Sequence, residues 1–176
     1  MSAASKRGKR LREWLITGGL VLAVMIGMRA WQTRDAVKGD APALEGRGLL
    51  GEPVSLASLR AEGPVLVHFW ASWCSVCDAM EHNVRAVAEE ARVVTVASGS
   101  GGSAELLEWL RERGELGAGG GSAYPIIADP SARLAARWGV SAFPTSFVVA
   151  EDGTIRFVEV GYSTELGLRL RLWWAR

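Results

Sequence analysis

Residues 65–70, VLVHFW, form an apolar run interrupted only by His68, and four residues after it comes Cys74, the first of just two cysteines in a chain of 176 residues. A short run this rich in β-branched and aromatic residues reads as a strand buried on both faces. The stretch that follows, CSVCDAMEHNVRAVAEEA (74–91), has helical periodicity, so Cys74 and Cys77 fall at a strand-to-helix junction. Few folds place a cysteine pair there, and the remaining segments narrow them further.

After this helix the element types continue to alternate. VVTVA (93–97) predicts a strand, SAELLEWLRER (103–113) a helix capped by Ser103, YPIIAD (124–129) a strand and SARLAARW (131–138) a helix. TSFVVA (145–150) and TIRFVEV (154–160) predict two strands around the turn Glu151-Asp152-Gly153, and STELGLRLRLWWAR a closing helix. Upstream, LLGEPVSLASLR (49–60) predicts a short strand or hairpin and then a helical turn. Alternation followed by a hairpin implies an α/β sandwich, a mixed sheet with helices on both faces. Eight of the 21 glycines lie between residues 99 and 121, without the spacing of a phosphate-binding loop, and read as flexible connections.

The cysteines could serve as a staple, a metal clip or a redox pair. A bridge between residues three apart closes too small a loop to stabilise much, and a chain of this length builds its own core. A structural metal site needs further soft ligands, and the chain offers only His68 and His82 besides the two thiols, so no metal site is expected. Cys74 at the first turn of a helix meets free backbone N–H groups and the positive end of the helix dipole, which favour a thiolate. Cys77, one turn further on the same face, can reach a mixed disulfide formed by Cys74. The spacing therefore points to redox chemistry needing no cofactor beyond the pair, with transient Cu(I) capture by the two thiolates as a secondary property.

Charge divides the chain. Residues 1–31 hold six basic residues and one acid, whereas residues 32–176 hold 14 basic and 18 acidic residues, a balance that excludes a nucleic-acid surface on the body. Behind the basic cluster, residues 14–28 carry no charge, and Trp14 and Trp31 bracket the stretch as interfacial aromatics would. This predicts a basic cytoplasmic segment (1–13), a transmembrane signal anchor (14–31), a linker (32–47) and an extracytoplasmic domain (48–176) in a compartment where disulfides persist. A cleaved signal peptide is the competing reading of the same stretch.

The blocks GPVLVHFWASWCSVC, YPIIADPSARLAARWGVSAFPTSFVVAEDGTI and GLRLRLWWAR resemble the membrane-anchored TlpA-like thioredoxins, most closely the suppressor-of-copper-sensitivity protein D type, over residues 48–176. The resemblance implies a thioredoxin-like sandwich with an added helix and strand (98 to about 128). It also implies a thiol–disulfide oxidoreductase of the bacterial inner membrane, acting in the periplasm on protein disulfides, recharged by a transmembrane thiol donor and working as a reductase. By that resemblance Cys74 and Cys77 are the catalytic pair and Trp73 shields them. Pro144 is a cis-proline, and Phe143, Pro144 and Thr145 contact the partner chain beside Trp73. His68 stands where thioredoxins keep a buried acid and could move a proton near neutral pH, although a core histidine would look the same. His82 replaces a kinking proline and reads as helix surface. Ser75-Val76 leaves the direction of electron flow open, and Thr145 stands where the haem-maturation branch tends to have an acid. A Cu(I)-sequestering module and a cytochrome c maturation thioredoxin are the alternative functions. Trp70, Trp109 and Trp138 are expected in the core, and Trp173-Trp174 against the sheet.

Overall fold

The computed structural model describes residues 3–117 and 120–176, with the side chains of residues 3–12, 15, 29, 30 and 32 outside that description. The basic cluster Lys6–Arg12 and Arg29 of the expected membrane segment therefore lie outside the described residues. Helix α1 spans Ala3–Gln32, and its described residues from Ile16 to Met28 expose mostly apolar side chains. Among the described residues, no helix is long and apolar enough to cross a membrane. Fifteen uncharged residues separate Glu13 from Arg29, fewer than the roughly 20 of an ordinary span, so an anchor here suits only a thin bilayer.

The compact domain is Asp35–Arg176. Its strands are β1 (Gly39–Asp40), β2 (Glu45–Arg47), β3 (Pro53–Ser55), β4 (Val65–Trp70), β5 (Arg92–Ser98), β6 (Ile126–Asp129), β7 (Thr145–Val149) and β8 (Thr154–Val160). Its helices are α2 (Leu56–Arg60), α3 (Ser75–Ala88), α4 (Ser103–Glu112), α5 (Arg133–Arg137) and α6 (Glu165–Trp174). Six strands form one sheet in the order β1-β8-β7-β4-β5-β6, with β4, β5 and β6 parallel and the remaining pairings antiparallel. Strands β2 and β3 make a separate hairpin.

Strand β4 is central and its residues alternate between two layers. Val65, Val67 and Phe69 face a core completed by Trp138 after α5, Leu56 of α2 and Phe147. Leu66 faces the opposite core with Met80 and Val84 of α3 and Leu168 and Leu172 of α6. Towards β6, Leu106 and Leu110 of α4 cover Ala97 and Ile126 on that same side. Helices thus cover both faces, as the alternation requires.

Three expectations are corrected. Residues 36–47 are not a free spacer: Ala36 and Leu44 are buried, Val37 N–H donates to the Trp138 carbonyl, and β1 adds a two-residue edge to β8. So short a strand leaves no periodicity to read. Helix α4 is capped by Gly102, whose N–H donates to the Glu105 carboxylate at 2.7 Å, so Ser103 is already helical. Trp173 and Trp174 do not pack on the sheet; they are 63% and 74% exposed, because Leu168, Leu172 and Ala175 take the inner face of α6. Trp138 is fully buried, whereas Trp70 and Trp109 are half-buried and pack on each other at 5.8 Å.

Candidate functional site

The end of β4 delivers the chain through a tight turn, in which Cys74 N–H donates to the Ala71 carbonyl, to the start of α3. Cys74 is the N-cap of that helix, with its Sγ accepting from the Cys77 N–H at 3.2 Å. The two cysteines are joined as a disulfide with Cα atoms 5.2 Å apart. Their exposure differs: Cys74 is half-buried, whereas Cys77 is 5% exposed beneath it. A sulfur at an N-cap takes the place of the usual oxygen acceptor, so charge on it is stabilised by the amide and the helix dipole together.

Trp73 is 68% exposed and covers this junction, its indole N–H donating to the Gly99 carbonyl at 3.1 Å. Its ring meets Phe143 edge-on at 5.7 Å. The Phe143–Pro144 peptide bond is cis. Thr145, buried at the start of β7, pairs with Phe69 of β4 and donates its hydroxyl to the Ala142 carbonyl at 2.7 Å. Antiparallel pairing of β7 with β4 is what carries Phe143, Pro144 and Thr145 to the cysteine end of the sheet.

His68 projects from β4 to the α3 side. It is 4% exposed, and its Nδ1 shares a 2.9 Å hydrogen bond with Ser146 Oγ of β7. Desolvation pushes its pKa down from 6.5 to about 4, so the ring is neutral near pH 7. His68 and Cys77 line one cavity of about 30 Å³, together with Trp70, Trp109, Glu81 and Tyr124. That volume holds one or two water molecules. Burial raises the Tyr124 phenol above its ordinary pKa, and the Glu81 charge adds to the effect. His82 lies on the exposed face of α3, away from this cluster.

Several participants were not legible in the sequence. Arg85 donates to Glu81 at 2.6 Å, and Arg113 bridges Asp78 of α3 and Glu115 of the connection after α4, tying that connection to the cysteine helix. The glycine-rich stretch after β5 is ordered by contacts: Ser72 N–H donates to Ser100 Oγ at 2.9 Å, beside the Trp73–Gly99 bond. The available signal was topological, since loops leaving the same ends of adjacent parallel strands must meet. Among the described residues, no group of three or more His, Cys, Asp or Glu side chains could hold a metal ion.

Comparison with known proteins identifies the setting of this geometry. The model of the AhpC/TSA family matches residues 37–158. The chain belongs to the AhpC/TSA family. Within that thioredoxin-like family it is 30% identical over 128 residues to a thioredoxin-like protein of Haemophilus influenzae, covering 72% of each chain. It is 27% identical over 160 residues to the thiol:disulfide interchange protein DsbE of Xylella fastidiosa, covering 84% of this chain and 78% of that protein. Among solved structures, the exposed lipoprotein thioredoxin of Streptococcus pneumoniae superposes with a TM-score of 0.64 at 26% identity, covering 74% of this chain and 98% of the other. This AhpC/TSA-family chain is thus a thioredoxin-like thiol:disulfide oxidoreductase carrying a Cys74–Cys77 pair.

Proposed function

We propose that the protein is a membrane-anchored periplasmic reductase of protein disulfides, with Cys74 as the attacking thiol and Cys77 as the resolving one. The observation that carries this assignment is the unequal exposure of the two sulfurs at the head of α3, where only Cys74 combines access with the N-cap amide. The Cys74 thiolate attacks one sulfur of the partner disulfide and expels the other as a thiolate. Cys77 then attacks the Cys74 sulfur, releasing the partner as a dithiol and closing the bond seen here. Two electrons pass from the pair to the partner, and no bound cofactor takes part.

Trp73 and Phe143, both accessible beside Cys74, guide the partner's extended chain, whereas Pro144 and Thr145 are buried at the start of β7 and act only by holding Phe143 in place. His68 lines the cavity with Cys77, but with its pKa held near 4 it is too weak a base to keep the proton that Cys77 loses on attack, and at most it relays that proton to solvent. A transmembrane thiol donor returns the electrons. Residues 14–31 anchor the chain in a bacterial inner membrane with residues 1–13 in the cytoplasm. The supports are the uncharged residues 14–28, the Trp14 and Trp31 that bracket them, and the basic residues ahead of them.

The test is a Cys77→Ser variant, which halts the cycle at the mixed disulfide. Membrane extracts should yield partner proteins bonded to Cys74, and a clean recovery of unmodified protein overturns the mechanism. Direction is read from the reduction potential of the pair: a value near about −270 mV marks a reductant, and one near about −120 mV makes the protein an oxidant and removes the donor from the scheme.

A further inference from the structure

The segment Ser98–Ser100 leaves β5 beside the turn that carries Cys74, and every hydrogen-bonding link between them is satisfied. Ser100 Oγ accepts from the Ser72 N–H at 2.9 Å and donates to the Ser98 carbonyl at 3.1 Å, so one hydroxyl is fixed by both its functions. Gly99, with φ of +60°, turns the chain sharply out of the strand, and its carbonyl receives the Trp73 indole N–H. Beneath them the buried Asp129 of β6 accepts from Ser98 Oγ and from the Ala135 N–H of α5, both at 3.1 Å, while its carbonyl accepts from Gly99 N–H at 2.9 Å. The approach to Cys74 is therefore tied through Ser72 and Trp73 to a loop whose far end is anchored on a buried carboxylate.

We infer that Ser100 is a positioning residue for Cys74, holding the Ala71–Cys74 turn so that the attacking sulfur stays in the N-cap conformation. This rests on Cys74 being the attacking thiol. Cys74 Sγ receives the Cys77 amide only while its backbone keeps the extended cap geometry, φ −95° and ψ 104°, and that geometry is set by the turn before it. Without the Ser100 hydroxyl, Ser72 N–H loses its acceptor and the turn keeps only the Ala71–Cys74 bond and the side-chain bond from Trp73 to Gly99. The sulfur then spends part of its time away from the amide and dipole that stabilise its anion.

The experiment uses the full chain with Cys77→Ser, which leaves Cys74 as the only thiol, and follows its alkylation by iodoacetamide across pH in three backgrounds: Ser100, Ser100→Ala and Ser100→Thr. Ser100→Ala should raise the pH midpoint and slow the reaction near neutral pH by roughly three- to tenfold, the scale of one weakened charge-assisted hydrogen bond. Ser100→Thr, which keeps the hydroxyl, should restore both. An unchanged profile in Ser100→Ala, or a Thr variant as impaired as the Ala variant, overturns the inference; so does an effect confined to the melting temperature. The assignment of Cys74 as attacking thiol is judged separately, by whether the Ser100 background forms mixed disulfides at all.

Discussion

On the side of the sheet that carries α5, β4 contributes Val65, Val67 and Phe69, all fully buried among apolar neighbours, whereas on the α3 side the same strand contributes Leu66, His68 and Trp70. The α5 side is closed by aromatic packing, with Phe147 edge-on to Trp138 at 4.9 Å and to Phe69 at 5.8 Å. The α3 side starts equally apolar around Leu66 and Met80, then turns polar towards the cysteines, where His68, Ser146 and Thr95 lie buried and Trp70 donates its indole N–H to Thr95 at 3.2 Å. One strand thus serves two purposes. Its α5 side holds the sheet together, and its α3 side gives up apolar contact beneath the cysteines to hold groups that accept and donate protons.

If that division is right, truncation on the α5 side should affect stability without altering chemistry. Phe147→Ala is expected to lose about 3–5 kcal/mol in urea unfolding while each folded molecule keeps its thiol:disulfide exchange activity. A loss of only a few tenths would show that this layer is not the mechanical core. On the other side the expected effect depends on pH. His68 is held near 4 by burial but titrates near 6.5 when unfolded, so below about 6.5 the unfolded chain binds a proton that the folded one refuses. Stability is complete above that value and falls by roughly 3 kcal/mol as pH drops to about 4. Urea titrations at about pH 7.5 and about pH 4.5 should show this fall, and His68→Gln should remove that share of it. A fall of equal size in the variant would place the acid sensitivity elsewhere. The smallest effect belongs to the outer face of α6: Trp173→Gln and Trp174→Gln should each change stability by no more than about 0.5 kcal/mol, checked by the same titration.

Sequence and structure agree best where one physical demand dominates. VLVHFW reads as a buried strand because every neighbour it meets is protein, and the cysteine spacing reads as a redox pair because a single helical turn separates the sulfurs. Agreement fails where two demands overlap. In LGLRLRLWW the inner residues Leu168 and Leu172 and the outer residues Leu166, Leu170, Trp173 and Trp174 are equally apolar, so composition cannot say which side meets the core. The GSGG run after β5 has the composition of a flexible connection, yet Ser100 and Gly99 hold the Trp73 turn through contacts with residues 26 to 28 positions away. No local pattern encodes such contacts. They follow only once β4 and β5 are known to be parallel neighbours.

The short β1 strand has a practical consequence. The six-stranded sheet ends at β1, which covers β8 at Thr154 and Ile155, and at β6, where an isolated bridge joins Gly48 to Ile127. A fragment begun at residue 48 would lose β1 and leave Thr154 and Ile155 without their partners, extending the open edge along the whole of β8. Strands exposed in this way recruit copies of themselves. A water-soluble version of the domain should therefore begin at Asp35, where the folded unit begins; one trimmed to the cysteine-bearing core risks precipitating for reasons unrelated to its chemistry.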